Sequence, residues 1–270
     1  MDGMQRKKLQ TPSAVPASDR REKLKLLLDL CHQLGNPALR MAILGEGNAS
    51  ARLSGETFLV KASGCSLPTL DKNGVVECRA KTLLTLLETN NLSDAEVDGT
   101  LLNSRVDATA KKPSVEALFH AWLLSLPGIE FVGHTHAQAV NSILCSPRAQ
   151  EFAVKKIFPD EIVCCDVESV FIPYTDPGRK LAQAIRVETE KFIRNIGRPP
   201  RVILMENHGI ITMGRSVEAV MSAMLMAEKT ATVWLGAAAL GGPIFLSPKQ
   251  VARIAGRPDE ALRRKALKIA

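Results

Sequence analysis

RVILMENHGIITMG, residues 201–214, reads as two β-strands that meet at Asn207-His208-Gly209. Each half is a short apolar run rich in branched side chains, and Asn and Gly between them are turn residues. Strands joined by so short a turn are antiparallel neighbours, because a parallel pair needs a long crossover. Downstream, SVEAVMSAMLMAEKTATVWLGAAAL is a long helix, and a basic helical tail closes the chain. Upstream, IEFVGHTH (129–136) reads as a buried strand with a polar end, AQAVNSILCS as a helix leading out of it, and IVCCDV (162–167) as a further strand. A turn around Tyr174-Thr175-Asp176-Pro177-Gly178 precedes a helix from Arg179 to Arg194.

The N-terminal half repeats this mixture. From Asp19, EKLKLLLDLCHQLG has helical spacing with Gly35 as its stop. SARLS, TFLVKAS and GVVECRA are short strands between Gly-containing turns, KTLLTLLETN is a helix, and a polar connector runs through Asp98-Gly99. SVEALFHAWLLSL is an amphipathic helix opened by Pro113-Ser114 and stopped by Pro127-Gly128. No internal repeat is visible. Several strands separated only by turns favour an α/β fold whose central sheet is mainly antiparallel and flanked by helices, rather than a doubly wound parallel sheet.

The chain has 270 residues, 46% of them hydrophobic, which suits a single domain over 19–270 behind a disordered, basic lead-in over 1–18. No apolar run reaches membrane-spanning length, and the basic, polar N-terminus lacks a signal-peptide core, so a cytoplasmic protein without membrane contact is expected. Six cysteines without a CxxC pair read as buried free thiols. The net charge of +7 lies mainly in Arg6-Lys7-Lys8, Arg20-Arg21 and Arg263-Arg264-Lys265, with no nucleic-acid-binding motif and one tyrosine. Nucleic acid is therefore not expected as a partner, whereas an anionic small substrate suits the charge. GEGN and SGCS are not a GxGxxG fingerprint, which argues against a dinucleotide.

Four of the five histidines lie between residues 120 and 208. His134 and His136 sit two apart at a strand end, where alternation points both to one face and lets two imidazoles converge on one ion. An ordinary pair of sheet-edge histidines has the same spacing, but His208, beside Gly209 at its own strand junction, makes a set of three that leaves a metal with an open position. Glu116, in the first turn of its helix, either favours the helix dipole or is a metal-adjacent base; His120 lies one turn later on the same face, as its partner or as core. Gly47-Asn48-Ala49-Ser50, Ser63-Gly64 behind Lys61, and Ser114 are small-residue sites that could cradle phosphate, although each is also an ordinary turn or cap.

GEGNAS, VKASG, PSVEALFH, GHTH and ENHG, in this order over roughly residues 20–240, resemble the class II sugar-phosphate aldolase, or aldolase/adducin, family. The resemblance implies a three-layer α/β/α catalytic domain, with Zn2+ (or Mn2+, Co2+ or Fe2+) held by His134, His136 and His208 with Glu116 beside it, and Glu116 as base. Phosphate would be held at Gly47, Asn48, Ser63, Gly64 and Ser114, with Lys61 as a further substrate-binding residue. Val115 stands where the family's aldolases have a second serine, which removes one hydroxyl from that site. The family's epimerases carry aspartate at the base position, so Glu116 favours a class II aldolase cleaving a ketose phosphate to dihydroxyacetone phosphate and an aldehyde. A 4-epimerase, a dehydratase, a decarboxylase and a non-catalytic adducin-like binding domain are the alternatives. The resemblance also implies a second acid–base group, for which Asp160, Glu161 and Tyr174 are the candidates, and a homotetramer.

Overall fold

Alternating side chains on the short apolar runs are buried on both faces of one sheet. The computed structural model describes residues 16–54, 56–89 and 92–269. Its strands are β1 (Asn48–Arg52), β2 (Thr57–Lys61), β3 (Val75–Arg79), β4 (Phe131–Thr135), β5 (Val170–Ile172), β6 (Val202–Met205) and β7 (Gly209–Gly214). They lie in the order β3-β2-β1-β4-β7-β6-β5. Neighbours are antiparallel except β5 and β6, which are parallel. The turn at residues 206–208 does join two antiparallel strands, as the sequence implies.

The helices are α1 (Ala17–Leu34), α2 (Ala80–Glu88), α3 (Asp94–Asn103), α4 (Ala117–Ser125), α5 (Gln138–Leu144), α6 (Ala149–Val154), α7 (Pro159–Cys165), α8 (Arg179–Ile196), α9 (Val217–Ala238), α10 (Pro248–Ala255) and α11 (Pro258–Ala266). Period-two alternation divides the strands between two cores. Leu59, Phe131, Val202 and Leu204 join residues of α1, α5 and α9 on one face. Phe58, Val60, Val132, Ile203 and Met205 join residues of α2, α4 and α8 on the other. The result is the expected α/β/α layering. No helix among the described residues is long and apolar enough to cross a membrane.

Three segments differ from their sequence reading. IVCCDV is not a strand: most of it is the end of α7, which starts with Pro159 at its first turn and carries Asp160 and Glu161 there. Proline with acidic residues is a helix-opening signal, and it outweighs the β-branched run. The strand lies further on, at β5. The polar connector through Asp98-Gly99 is helix α3, opened by a capping box in which Ser93 Oγ accepts from the Glu96 N–H and Glu96 bonds back to Ser93. Glu116 is the N-cap of α4 rather than a first-turn residue, and α4 is buried almost all round rather than amphipathic. The helix α1 begins at Ala17, and the remainder of the expected lead-in, residues 1–15, lies outside the described residues.

Glu161 is buried, with Oε1 3.0 Å from Lys156 Nζ and Oε2 accepting from the Ile157 N–H at 3.1 Å. It ties the residues before α7 onto its first turn. Glu161→Ala strands the Lys156 ammonium in the core and is expected to cost about 3–5 kcal/mol. Urea unfolding of the variant measures this; an unchanged midpoint would show that the pair does not support the fold.

Candidate active site

The antiparallel pairing of β1 and β4 sets Asn48 opposite His134 and Ser50 opposite Val132. Alternation turns Asn48, Ser50 and His134 towards α4, and Ala49 and Ala51 towards α1 and α9. Glu116 immediately precedes α4 and His120 is one turn further on, so both reach down onto this strip of sheet. His136 lies just past the end of β4, and His208 lies in the β6–β7 turn.

Side-chain nitrogens of His134, His136 and His208 lie within 4.8 Å of one another. His134 Nε2 is 3.2 Å from His136 Nε2. Glu116 Oε1 stands 3.7 Å from His134 Nε2 and 3.4 Å from His208 Nε2. His134 Nδ1–H donates to the Ile210 carbonyl at 3.0 Å, which leaves a lone pair on Nε2 facing its neighbours. Glu46 Oε1 lies 3.7 Å from His136 Nδ1 and orients that ring in the same sense. Burial, reinforced by the adjacent imidazoles, pushes His134 down to about 4, so its ring is neutral at pH 7. Burial also holds His136 below the usual histidine range. Gly209 allows this convergence: a Cβ there would lie 2.5 Å from the Thr135 carbonyl oxygen and 2.9 Å from His136 Cδ2. Neutral imidazoles with facing lone pairs repel unless a cation lies among them. Two such donors, with the His208 ring and a carboxylate beside them, fit a divalent metal with open coordination positions.

Behind Glu116 runs a closed hydrogen-bond chain that the sequence reading left incomplete. Ser50 Oγ–H donates to His120 Nδ1 at 2.6 Å, His120 Nε2–H donates to Asn48 Oδ1, and Asn48 Nδ2–H donates to Glu116 Oε2. The direction follows from chemistry: a carboxylate only accepts, so the amide NH2 faces Glu116 and its oxygen faces the ring. Burial, with His134 adding to it and Glu116 opposing it, pushes His120 down to about 3. A neutral ring donating at one nitrogen and accepting at the other matches this chain. For Glu116, burial alone would raise the carboxyl, but His134, His208 and the Asn48 amide together outweigh it and hold the group ionised. Oε2 is thereby engaged, and Oε1 is left facing the histidines.

The remaining candidates divide into two groups. Ser63 and Ser114 come together, because Ala62 bridges Pro113 and the Ser63 N–H donates to the Lys112 carbonyl at 2.9 Å. Both line a cleft of about 660 Å3 with Lys112, Val115, Arg179 and Lys180. Gly64 follows with φ +73°, and at Gly47, with φ +67°, a Cβ would lie 2.7 Å from the His134 carbonyl oxygen. Asn48 and Lys61, expected as substrate ligands, both bond within the protein. The Asn48 side chain is committed to Glu116 and His120. Lys61 Nζ donates to the carbonyls of Gly45 at 3.3 Å and Cys65 at 2.6 Å, joining the loop before β1 to the turn after β2. Burial lowers its pKa.

The three residues expected to supply a second acid–base group each bond to a partner other than the histidines. Asp160 pairs with Arg263 of α11 at 2.5 Å, and Glu161 pairs with Lys156. Tyr174, 56% exposed, donates its hydroxyl to Asp176 Oδ1 at 3.2 Å, and its N–H to Glu206. Ser50, which the sequence offers as part of a small-residue cradle, bonds His120 instead, and Glu46 is a member of the site that the sequence reading does not single out. The signal for Ser50 was its i,i+2 spacing from Asn48, facing the i,i+4 pair Glu116 and His120.

The family model "Class II Aldolase and Adducin N-terminal domain" matches residues 25–235. An uncharacterized oxidoreductase, YuxG of Bacillus subtilis (strain 168), is 27% identical over 184 residues, covering 64% of this chain and 24% of that protein. The chain thus spans about a quarter of the length of this relative. Among solved structures, the N-terminal class II aldolase domain of a Thermoplasma acidophilum protein superposes with TM-score 0.64 at 22% identity, covering 86% of this chain and 99% of that one. YgbL of Escherichia coli, a candidate aldolase/epimerase/decarboxylase, gives 0.63 at 19%, covering 88% and 100%. L-fuculose 1-phosphate aldolase from Glaciozyma antarctica PI12 gives 0.61 at 14%, covering 96% and 94%. At these identities the structures establish the fold.

His120 also sets a pH dependence. Its ordinary value is 6.5 and its folded value about 3, so between these limits the unfolded chain binds a proton that the folded chain refuses. Stability therefore rises with pH across this window and is lost as acid is added. Urea midpoints of metal-free protein are expected to fall from pH 7 to pH 4, and to fall less for His120→Gln. An equal fall in both proteins would remove His120 from this account.

Proposed function

The chain belongs to the class II aldolase and adducin family, and on that premise we propose that it is a divalent-metal-dependent aldolase acting on a ketose phosphate. It would release dihydroxyacetone phosphate and an aldehyde, reversibly. The observation that carries this reading is the division of labour on Glu116: Oε2 is tied to Asn48 while Oε1 faces the three imidazoles.

His134, His136 and His208 would hold the ion, Zn2+ by the family's precedent, with Mn2+, Co2+ or Fe2+ also compatible with imidazole and carboxylate donors. When bound, it supplies Lewis-acid polarisation of the substrate's carbonyl and hydroxyl oxygens. Glu116 Oε1 then moves the proton on the nucleophilic carbon, and its partners Asn48 and His120 keep the carboxylate from rotating away. Ser63, Gly64 and Ser114 would bind the phosphate, with Gly47 shaping the backbone beside them and Lys61 holding the two loops together. Tyr174 is the most exposed of the three acid–base candidates, which fits a homotetramer in which it reaches the site of a neighbouring copy.

The direct assay is retro-aldol release of dihydroxyacetone phosphate from a panel of ketose 1-phosphates. Activity is expected to vanish with a chelator and to return on adding the metal. Glu116→Gln is expected to lower kcat by about 10²–10⁴ with bound metal retained. NMR of the products distinguishes cleavage from epimerisation, dehydration or decarboxylation. Metal-replete protein inert on the whole panel would overturn the proposal.

Val115→Ser restores a hydroxyl beside Ser114 and is expected to lower the KM for phosphorylated substrate by about tenfold, the worth of one hydrogen bond to a charged group. Steady-state kinetics on phosphorylated and unphosphorylated substrate measure the difference.

A further inference from the structure

Away from the histidines, a cleft of about 320 Å3 lies between the C-terminal half of α7, the α8–β6 connection and the pair α10 and α11. Arg198, Arg201, Arg264 and Asp166 supply its charge. Asp166 is buried, and the guanidinium of Arg198 grips it with both ends of its fork, Nη2 at 2.7 Å from Oδ1 and Nη1 on Oδ2. This pair is neutral as a unit. Arg201 gives one N–H to the Val163 carbonyl at 3.2 Å, and Arg264 one to the Ala255 carbonyl at 3.2 Å. A guanidinium has five donors, so most of those on Arg201 and Arg264 have no acceptor among the described residues.

Arginines near the end of α7 would serve the helix dipole alone. That accounts for Arg201, whose one bond is to α7. It accounts in the same way for one N–H of Arg264, which arrives from α11 and bonds to the last residue of α10, and it leaves the other donors of both guanidiniums unassigned. Burial chiefly, and to a lesser degree the like charges of Arg264 and Arg198, pulls Arg201 down against the opposing help of Asp166. Three guanidiniums against one carboxylate leave two positive charges, the complement of a phosphate dianion. Planar forks are suited to phosphate oxygens, and the volume lies at the small end of ligand pockets, roughly 300–1,000 Å3.

We infer that this cleft is a second anion site, which takes a phosphate group either as the free ion or as the head of a small phosphate monoester. It is separate from the cleft of Ser63 and Ser114. Arg201 directly precedes β6, whereas His208 follows its other end, and four strand residues at about 3.3 Å each place roughly 13 Å between them. Occupancy would join α7 to α11 through one ligand and stabilise the C-terminal helices by binding only the folded chain.

Calorimetric titration of the full metal-loaded protein with inorganic phosphate at low ionic strength tests this. Wild-type protein is expected to bind one phosphate more per chain than Arg264→Gln or Arg201→Gln, and phosphate should raise its Tm more than theirs. Because the proposed substrate site also binds phosphate, the two readings separate by stoichiometry: a change from two to one supports both, and from one to none supports this cleft alone. Arg201→Lys, which keeps the charge but not the fork, should weaken this site about tenfold without unfolding the chain. Glycerol phosphate is expected to compete if the ligand is a monoester, and to bind more weakly than free phosphate if the cleft admits only the ion. Stoichiometry unchanged in all three variants, equal binding of succinate, or displacement by chloride at matched ionic strength would each overturn the inference.

Discussion

The pairing of β1 with β4 governs the arrangement of everything around it. It places two polar strand positions, Asn48 and His134, side by side in a sheet covered on both faces. A polar group buried without a partner costs about 1–3 kcal/mol, so this strip is tolerated only if its polar atoms satisfy one another. They do so through α4: Glu116 and His120, one helical turn apart, complete the bonds that Asn48 and Ser50 leave open on the sheet. The same bonds that make the burial affordable hold the carboxylate in one orientation.

Rigid elements carry most of the site. His134 is a strand residue, His136 and His208 are within three residues of strand ends, and Glu116 caps a buried helix. Groups held this way lose little freedom when substrate binds, so binding energy can be used on the reacting geometry. The loops around Gly47 and Ser63 are less constrained by the sheet. Lys61 compensates by reaching a carbonyl on each side, Gly45 and Cys65. Those two bonds tie the loops to the end of β2.

The segments misread from sequence share a cause. IVCCDV and the stretch around Asp98-Gly99 are short, and local composition there pointed away from what their capping residues dictate. Pro159 with Asp160 and Glu161, and Ser93 with Glu96, open helices in spite of branched or glycine-containing interiors. Asp160 and Glu161 looked chemically available because a chain of letters does not show what occupies a carboxylate. In three dimensions Arg263 and Lys156 occupy them.

Strand alternation, turn chemistry and the spacing of HTH and NHG were enough to establish an α/β fold with a mainly antiparallel sheet and to single out His134, His136, His208 and Glu116. Those features depend on local periodicity, and local periodicity is written in the order of residues. Tertiary structure alone decided which oxygen of Glu116 faces the imidazoles, that Asn48 and Lys61 bond inward, and that arginines from residues 198, 201 and 264 share one cleft. The partners of Asn48 and the third arginine of the cleft come from more than sixty residues away, and even the nearer partners of Lys61 lie in two different loops, brought together by packing that no short stretch of sequence encodes.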